Sequence, residues 1–162
     1  MEDPEVEIFL NYTQWADNVI FELLKSISDD QISLDHGSNT GSIRQRLIHL
    51  AEEYLAWYYD INKIDWRQDV ENISTLSNRE LMDFIQSYHS KWSEFMKNDN
   101  RLTFTLEEDN VETKLTRFQL IFNLANHATY HRGQIVTLLR KLDQKVPITD
   151  YYWFLIDQTT DQ

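Results

Sequence analysis

Apolar residues recur at three- and four-residue steps through Phe9, Tyr12, Ala16, Val19, Ile20, Leu23 and Ile27, which is the spacing of one helix face. Asp3 and Pro4 ahead of them supply a cap and a first-turn proline. The polar run SDDQISLDHGSNTG then reads as a loop. Ser42 and Gln45 have the capping-box spacing and open a second helix, from about Ile43 to Tyr59 or beyond. Ile61 to Leu76 keeps no period and reads as irregular. Ser77 and Glu80 form a second capping box, and Leu81, Ile85, Tyr88, Trp92 and Phe95 mark the third helix, closed by KNDNR. Leu102 to Leu106 alternates apolar and polar; acidic turn residues and Val111 to Leu115 follow, which predicts a small hairpin. Thr116 and Gln119 make a third capping box for a fourth helix reaching about Leu142, where Pro147 blocks continuation. TDYYWFLI reads as a short terminal helix.

Four long helices with little else predict an all-α fold: one domain, residues 1–162, built as a four-helix bundle with a small β-hairpin before the last long helix. The long segments between the second and third helices, and between the third and fourth, leave room for crossover connections. Composition agrees, because 3 Gly and 2 Pro in 162 residues are too few for a strand-rich fold. The net charge of −12, with no basic stripe, argues against nucleic acid and against anionic membranes. The absence of cysteine excludes disulfides, a thiolate nucleophile and sulfur-ligated zinc. MEDPEVEIFL lacks the basic start and apolar run of a signal peptide, and no stretch reaches the roughly 18 apolar residues of a membrane span. The expectation is a soluble, cytoplasmic protein.

Candidate chemistry concentrates in NLANHATYHRGQI, Asn123 to Ile135. Leu120, Leu124, His127, His131, Ile135 and Leu138 form one stripe at helical spacing, so both histidines face inward or into a groove. Stacked one turn apart, the imidazoles can reach one metal ion; equally, they can be core histidines bonded to carbonyls or carboxylates. Of the remaining histidines, His36 lies in a Gly/Ser/Asn loop and reads as solvated, and His89 flanks the apolar stripe of its helix, an exposed or rim position. His49 projects almost opposite Leu47, Ala51, Tyr54 and Tyr58, alongside Gln45, Glu53 and Ala56. Two readings stay open: a solvent face, or a strip facing a polar cavity in the bundle. Glu53, one turn after His49, reads as a solvated glutamate, with support of a metal ligand as the alternative.

Arg132 projects among Phe118, Ile121, Ala125 and Val136, so it should be buried and paired to a carboxylate. Gly133 costs about 1 kcal/mol against alanine in mid-helix and suggests close approach of another chain segment. Both fit a structural role better than direct chemistry.

NHATYHRGQI closely resembles the signature H-x-x-x-H-R-G-Q of the DinB-like (DinB/YfiT) superfamily, carried on its last long helix. GSIRQRLIHLAEEYLAWY resembles that superfamily's second helix, with a histidine eight residues before a tryptophan, here His49 and Trp57. YTQWADNVIFELL is similar to its first helix, and the hairpin fits as well. The resemblance implies a bundle of unusual connectivity, often a homodimer, with His49, His127 and His131 binding a divalent metal such as Zn, Ni or Fe. It also implies a small-molecule substrate and, as in relatives that are transferases, a low-molecular-weight thiol cosubstrate. A metal-dependent hydrolase and a non-enzymatic, stress-related metal-binding protein are the alternatives. No catalytic acid or base declares itself in the sequence.

Overall fold

Side-chain caps fix where the helices begin. In the computed structural model, which describes residues 3–37, 40–65, 67–108 and 110–160, Asp3 caps α1 (Pro4–Leu24) by accepting from the Val6 amide. Ser42, Ser77 and Thr116 each complete the expected capping box, opening α3 (Ile43–Asn62), α5 (Asn78–Asn98) and α6 (Arg117–Lys141). The hairpin is β1 (Thr103–Glu108) paired antiparallel with β2 (Val111–Thr116), with Phe104 opposite Leu115 and Leu106 opposite Thr113. The terminal helix is α7 (Tyr151–Thr160).

Two segments read as irregular carry short helices. Ser28 caps α2 (Asp29–Ser33) within the loop after α1, and α4 (Arg67–Ile73) lies between α3 and α5. Both are anchored by one apolar residue in the core, Ile32 and Ile73, too little repetition to leave a period in the sequence. Ser38 and Asn39 of that loop, Trp66 of the irregular stretch and Asp109 of the acidic turn lie outside the described residues.

Among the long helices, α1 packs against α5 and α6, and α3 packs against the same two. The pairs α1/α3 and α5/α6 therefore occupy opposite corners of the bundle. The chain crosses the diagonal twice, after α1 and after α5, and the hairpin rides on the second crossing. The α3–α5 segment, long enough for a crossover, joins neighbouring helices instead.

The core runs the length of the bundle through Ile20, Leu47, Leu50, Ala51, Ile85, Trp92, Leu120 and Ile135, all essentially inaccessible. Phe104 brings the hairpin into the same core. A smaller aromatic cluster of Tyr12, Ala16 and Phe154 fixes α7 to α1, where Trp15 donates to Asp157 at 2.9 Å. Among the described residues, no helix is long and apolar enough to cross a membrane.

Candidate metal centre

The helical register of α6 places His127 and His131 one turn apart on the side facing α3. There, His49 sits across from them. The ring centroids of His49 and His131 are 4.5 Å apart, those of His127 and His131 4.5 Å, and those of His49 and His127 5.9 Å. Each residue offers one ring nitrogen, and these nitrogens all lie within 4.8 Å of one another. The two readings of His49 meet here. Leu47, Ala51 and Tyr54 are buried on the core side of α3, as the projection requires. His49 keeps 41% side-chain exposure because it lies on the rim of the α3–α6 groove rather than inside the bundle.

Three neighbours set the chemistry of the cluster. Gln134 Oε1 lies 3.1 Å from His131 Nδ1, so an Nδ1–H donates to it and leaves Nε2 with its lone pair. His131 Nε2 lies 2.9 Å from His127 Nε2, which makes His127 the donor of that contact. Burial, together with the neighbouring His127 and His49, pushes the His131 imidazolium down to about 4. His131 is therefore neutral over the ordinary pH range.

The third neighbour is Glu53. Its carboxylate lies 3.6 Å from His127 Nε2 and 3.8 Å from His49 Nε2, and it accepts from Trp57 Nε1 at 3.0 Å. The solvated glutamate expected from the sequence is instead held at the histidines by a tryptophan one turn further along α3. The signal was available: His49, Glu53 and Trp57 repeat at four-residue steps on one face.

Directly behind the groove lies a buried polar network. Arg132, 2% exposed, donates to Asp17 Oδ1 at 2.8 Å and to Thr129 Oγ1 at 2.7 Å. Tyr54 donates to Asp17 Oδ2 at 3.0 Å, and His89 Nε2 lies 3.0 Å from the same oxygen. The expected burial and carboxylate pairing of Arg132 are both observed. His89 is not on the rim: it is buried, because α1 presents Asp17 to that side of α5. Burial alone would raise Asp17, but Arg132 and His89 outweigh it and hold the carboxyl below its usual range. Burial and Asp17 push the Tyr54 phenol well up. Asp17 escaped notice in the sequence although it shares an apolar stripe with Thr13, Ile20 and Leu24, all buried.

The remaining two expectations end differently. His36, read as solvated, is half-buried in its loop and is not among the clustered histidines. Gly133 has nothing within 4 Å of where a Cβ would stand, so no close approach explains it.

The sequence matches the DinB family over residues 1–162. The chain belongs to the DinB family. Protein DinB of Bacillus subtilis (strain 168) is 25% identical over 161 residues, spanning 93% of this chain and 94% of that protein. The solved structure of YfiT from Bacillus subtilis, described as a probable metal-dependent hydrolase with an unusual four-helix bundle topology, superposes with a TM-score of 0.67. That likeness covers 90% of this chain and 91% of YfiT at 13% sequence identity, and it shows a shared four-helix-bundle fold.

Proposed function

We propose that this DinB-family chain is a metal-dependent hydrolase of a small-molecule substrate, with a divalent ion held by His49, His127 and His131. The convergence of three ring nitrogens within 4.8 Å, beside the Glu53 carboxylate, carries this reading. The hydrolase description given to YfiT supports it. The donor set fits: three imidazoles suit Zn, Ni or Fe, His131 is neutral, and the proton shared between His131 and His127 marks a place for a cation. Such an ion supplies Lewis acidity, which lowers the pKa of water toward about 7 or stabilises a thiolate.

The chain's own residues divide the remaining work. Gln134 fixes the tautomer of His131, and Trp57 holds Glu53 in place. Glu53 takes a proton from the attacking water and delivers it to the leaving group. A carboxylate can take a proton from water or from a thiol alike, so the choice of water rests on the hydrolase description given to YfiT. A thiol-dependent transferase remains the second outcome, and with no cysteine in the chain its thiol comes from a cosubstrate.

The test has two arms. Elemental analysis of untagged protein should find about one divalent ion per chain, lost in His49→Ala, His127→Ala and His131→Ala but kept in His36→Ala. The metal-loaded protein should hydrolyse neutral esters or amides without added thiol, and Glu53→Gln should keep its metal while losing roughly 10²–10⁴-fold in rate. Full metal content in the three alanine variants would overturn the centre; activity only with an added thiol would overturn the hydrolase. The homodimer implied by the resemblance belongs to the same proposal, and sedimentation equilibrium decides it.

A further inference from the structure

Along the α3–α6 groove, the metal centre does not stand alone. His49 faces His131 and Glu53 faces His127, so α3 and α6 run antiparallel here. One turn beyond Glu53 on α3 is Trp57, and one turn before His127 on α6 is Asn123. Between them opens a cavity of about 360 Å³, closed on its third side by the hairpin through Leu106, Thr113 and Leu115. Trp57 lines both this cavity and the narrow slot beneath His127, so the two spaces share a wall.

We infer that this cavity is the substrate's apolar subsite, which deepens the hydrolase reading and rests on it. Its walls are Trp57, Leu106, Leu115 and Phe122; Phe122 packs against Phe9 and Phe118 and still keeps 47% of its surface exposed. Asn123 is half-buried and, among the described residues, makes no side-chain hydrogen bond, so its amide is available to a polar group in mid-substrate. Four to eight residues separate His127 from Asn123 and Gln119, which at 1.5 Å per residue sets the apolar part roughly 6–12 Å from the reacting atom. Glu52 and Glu53 flank His49 at 3.8 Å each, which disfavours an anionic substrate. The substrate class is therefore a neutral or cationic ester or amide with an aryl or branched alkyl group about five to ten bonds from the bond that breaks. The hairpin gains a role as well: Phe104 anchors it in the core, and Leu106 and Leu115 beside it form the cavity wall.

A hydroxamate series tests this on the zinc-loaded protein by titration calorimetry: acetohydroxamate, 4-phenylbutanohydroxamate, 6-phenylhexanohydroxamate and 8-phenyloctanohydroxamate. Affinity should rise roughly ten- to a hundredfold from the first to the longer members, as burial of a phenyl ring requires. Thr113→Trp, at an exposed hairpin position, should fill the cavity and abolish that gain while leaving acetohydroxamate binding unchanged. Equal affinities across the series, or a gain that survives Thr113→Trp, would overturn the subsite. Metal-free protein gives an independent readout. 4-Phenylbutanol should shift the methyl resonances of Leu106 and Leu115 and the indole resonance of Trp57, and should not do so in Thr113→Trp. If zinc and acetohydroxamate fail to bind, the three-histidine reading fails, and the phenylbutanol titration alone decides the subsite: shifts support it, their absence overturns it.

Discussion

Removing the Asp17 carboxylate should be among the most damaging single changes to the bundle. Asp17 has no solvent exposure, and it is the carboxylate that Arg132 meets, at 2.8 Å. In Asp17→Ala the guanidinium stays buried and unpaired, and the Tyr54 hydroxyl loses its acceptor. Breaking a buried pair from one side costs about 3–5 kcal/mol. For a chain of this length each kcal/mol moves the melting temperature by about 2–4 °C, so the expected loss is roughly 6–20 °C. Urea and thermal unfolding followed by circular dichroism, at neutral pH with a chelator present, measure this without interference from metal. Arg132→Met should cost less, because Asp17 keeps Tyr54 and His89. A double-mutant cycle should return a coupling of about 2 kcal/mol or more. An Asp17→Ala cost below about 1 kcal/mol, or strict additivity in the cycle, would refute the idea that this pair is a structural unit.

Gly133→Ala should stabilise the protein by about 0.5–1 kcal/mol, read as a higher urea midpoint, because the position is exposed, helical and sterically open. Metal-free protein should lose stability as pH falls from about 6.5 to 4. The unfolded chain takes up a proton at His131 near pH 6.5, whereas the folded chain does so only at about 4, so protonation favours unfolding throughout that window and adds nothing above it. The loss should be roughly 1–2 kcal/mol, reduced by screening at the open groove, and His131→Gln should flatten it. Asp17, depressed in the folded state, contributes its own loss only below the unfolded carboxylate value of about 3.9, which separates the two in a pH series.

The parts of this molecule that were legible in the sequence are those encoded locally. Three capping boxes stand where Ser42, Ser77 and Thr116 place them, and the alternation around Phe104 becomes the hairpin. The stripe through Leu120, Leu124, His127, His131, Ile135 and Leu138 is buried as its period demands except at His127, which is half-exposed at the groove. What was not legible depends on which helix lies opposite. The projection of His49 off the core side of α3 was sound, but only the diagonal crossings, which put α3 beside α6, turn a polar rim into a histidine cluster. His89 was misjudged for the same reason, since nothing on α5 announces that Asp17 of α1 faces it. Glu53 needed no tertiary information, since the sequence already sets it one turn after His49 on the same face; Trp57, one turn further, is what holds it there.

The histidine cluster and the buried pair stand back to back, and this has a measurable consequence. His131 and Arg132 are consecutive on α6, and Glu53 and Tyr54 are consecutive on α3, so on each helix one residue faces the groove and the next faces Asp17. An apolar stripe sets a helix's rotation about its own axis, but only coarsely. Hydrogen bonds from Arg132 and Tyr54 to the two oxygens of one carboxylate do fix that rotation, for α6 and α3 together. Replacing the pair by apolar residues, Asp17→Leu with Arg132→Met, should therefore separate stability from geometry. Apolar residues substitute for the buried ion pair itself at little cost, so the stability change should come mainly from Tyr54 and His89 losing their acceptor, about 1–3 kcal/mol each. Zinc affinity should fall by about tenfold or more, the size of effect seen when the residues that orient metal ligands are disturbed. Competition against a chromophoric chelator reads that affinity directly. Unchanged affinity in a stable double variant would mean that the histidines hold their geometry without help from Asp17.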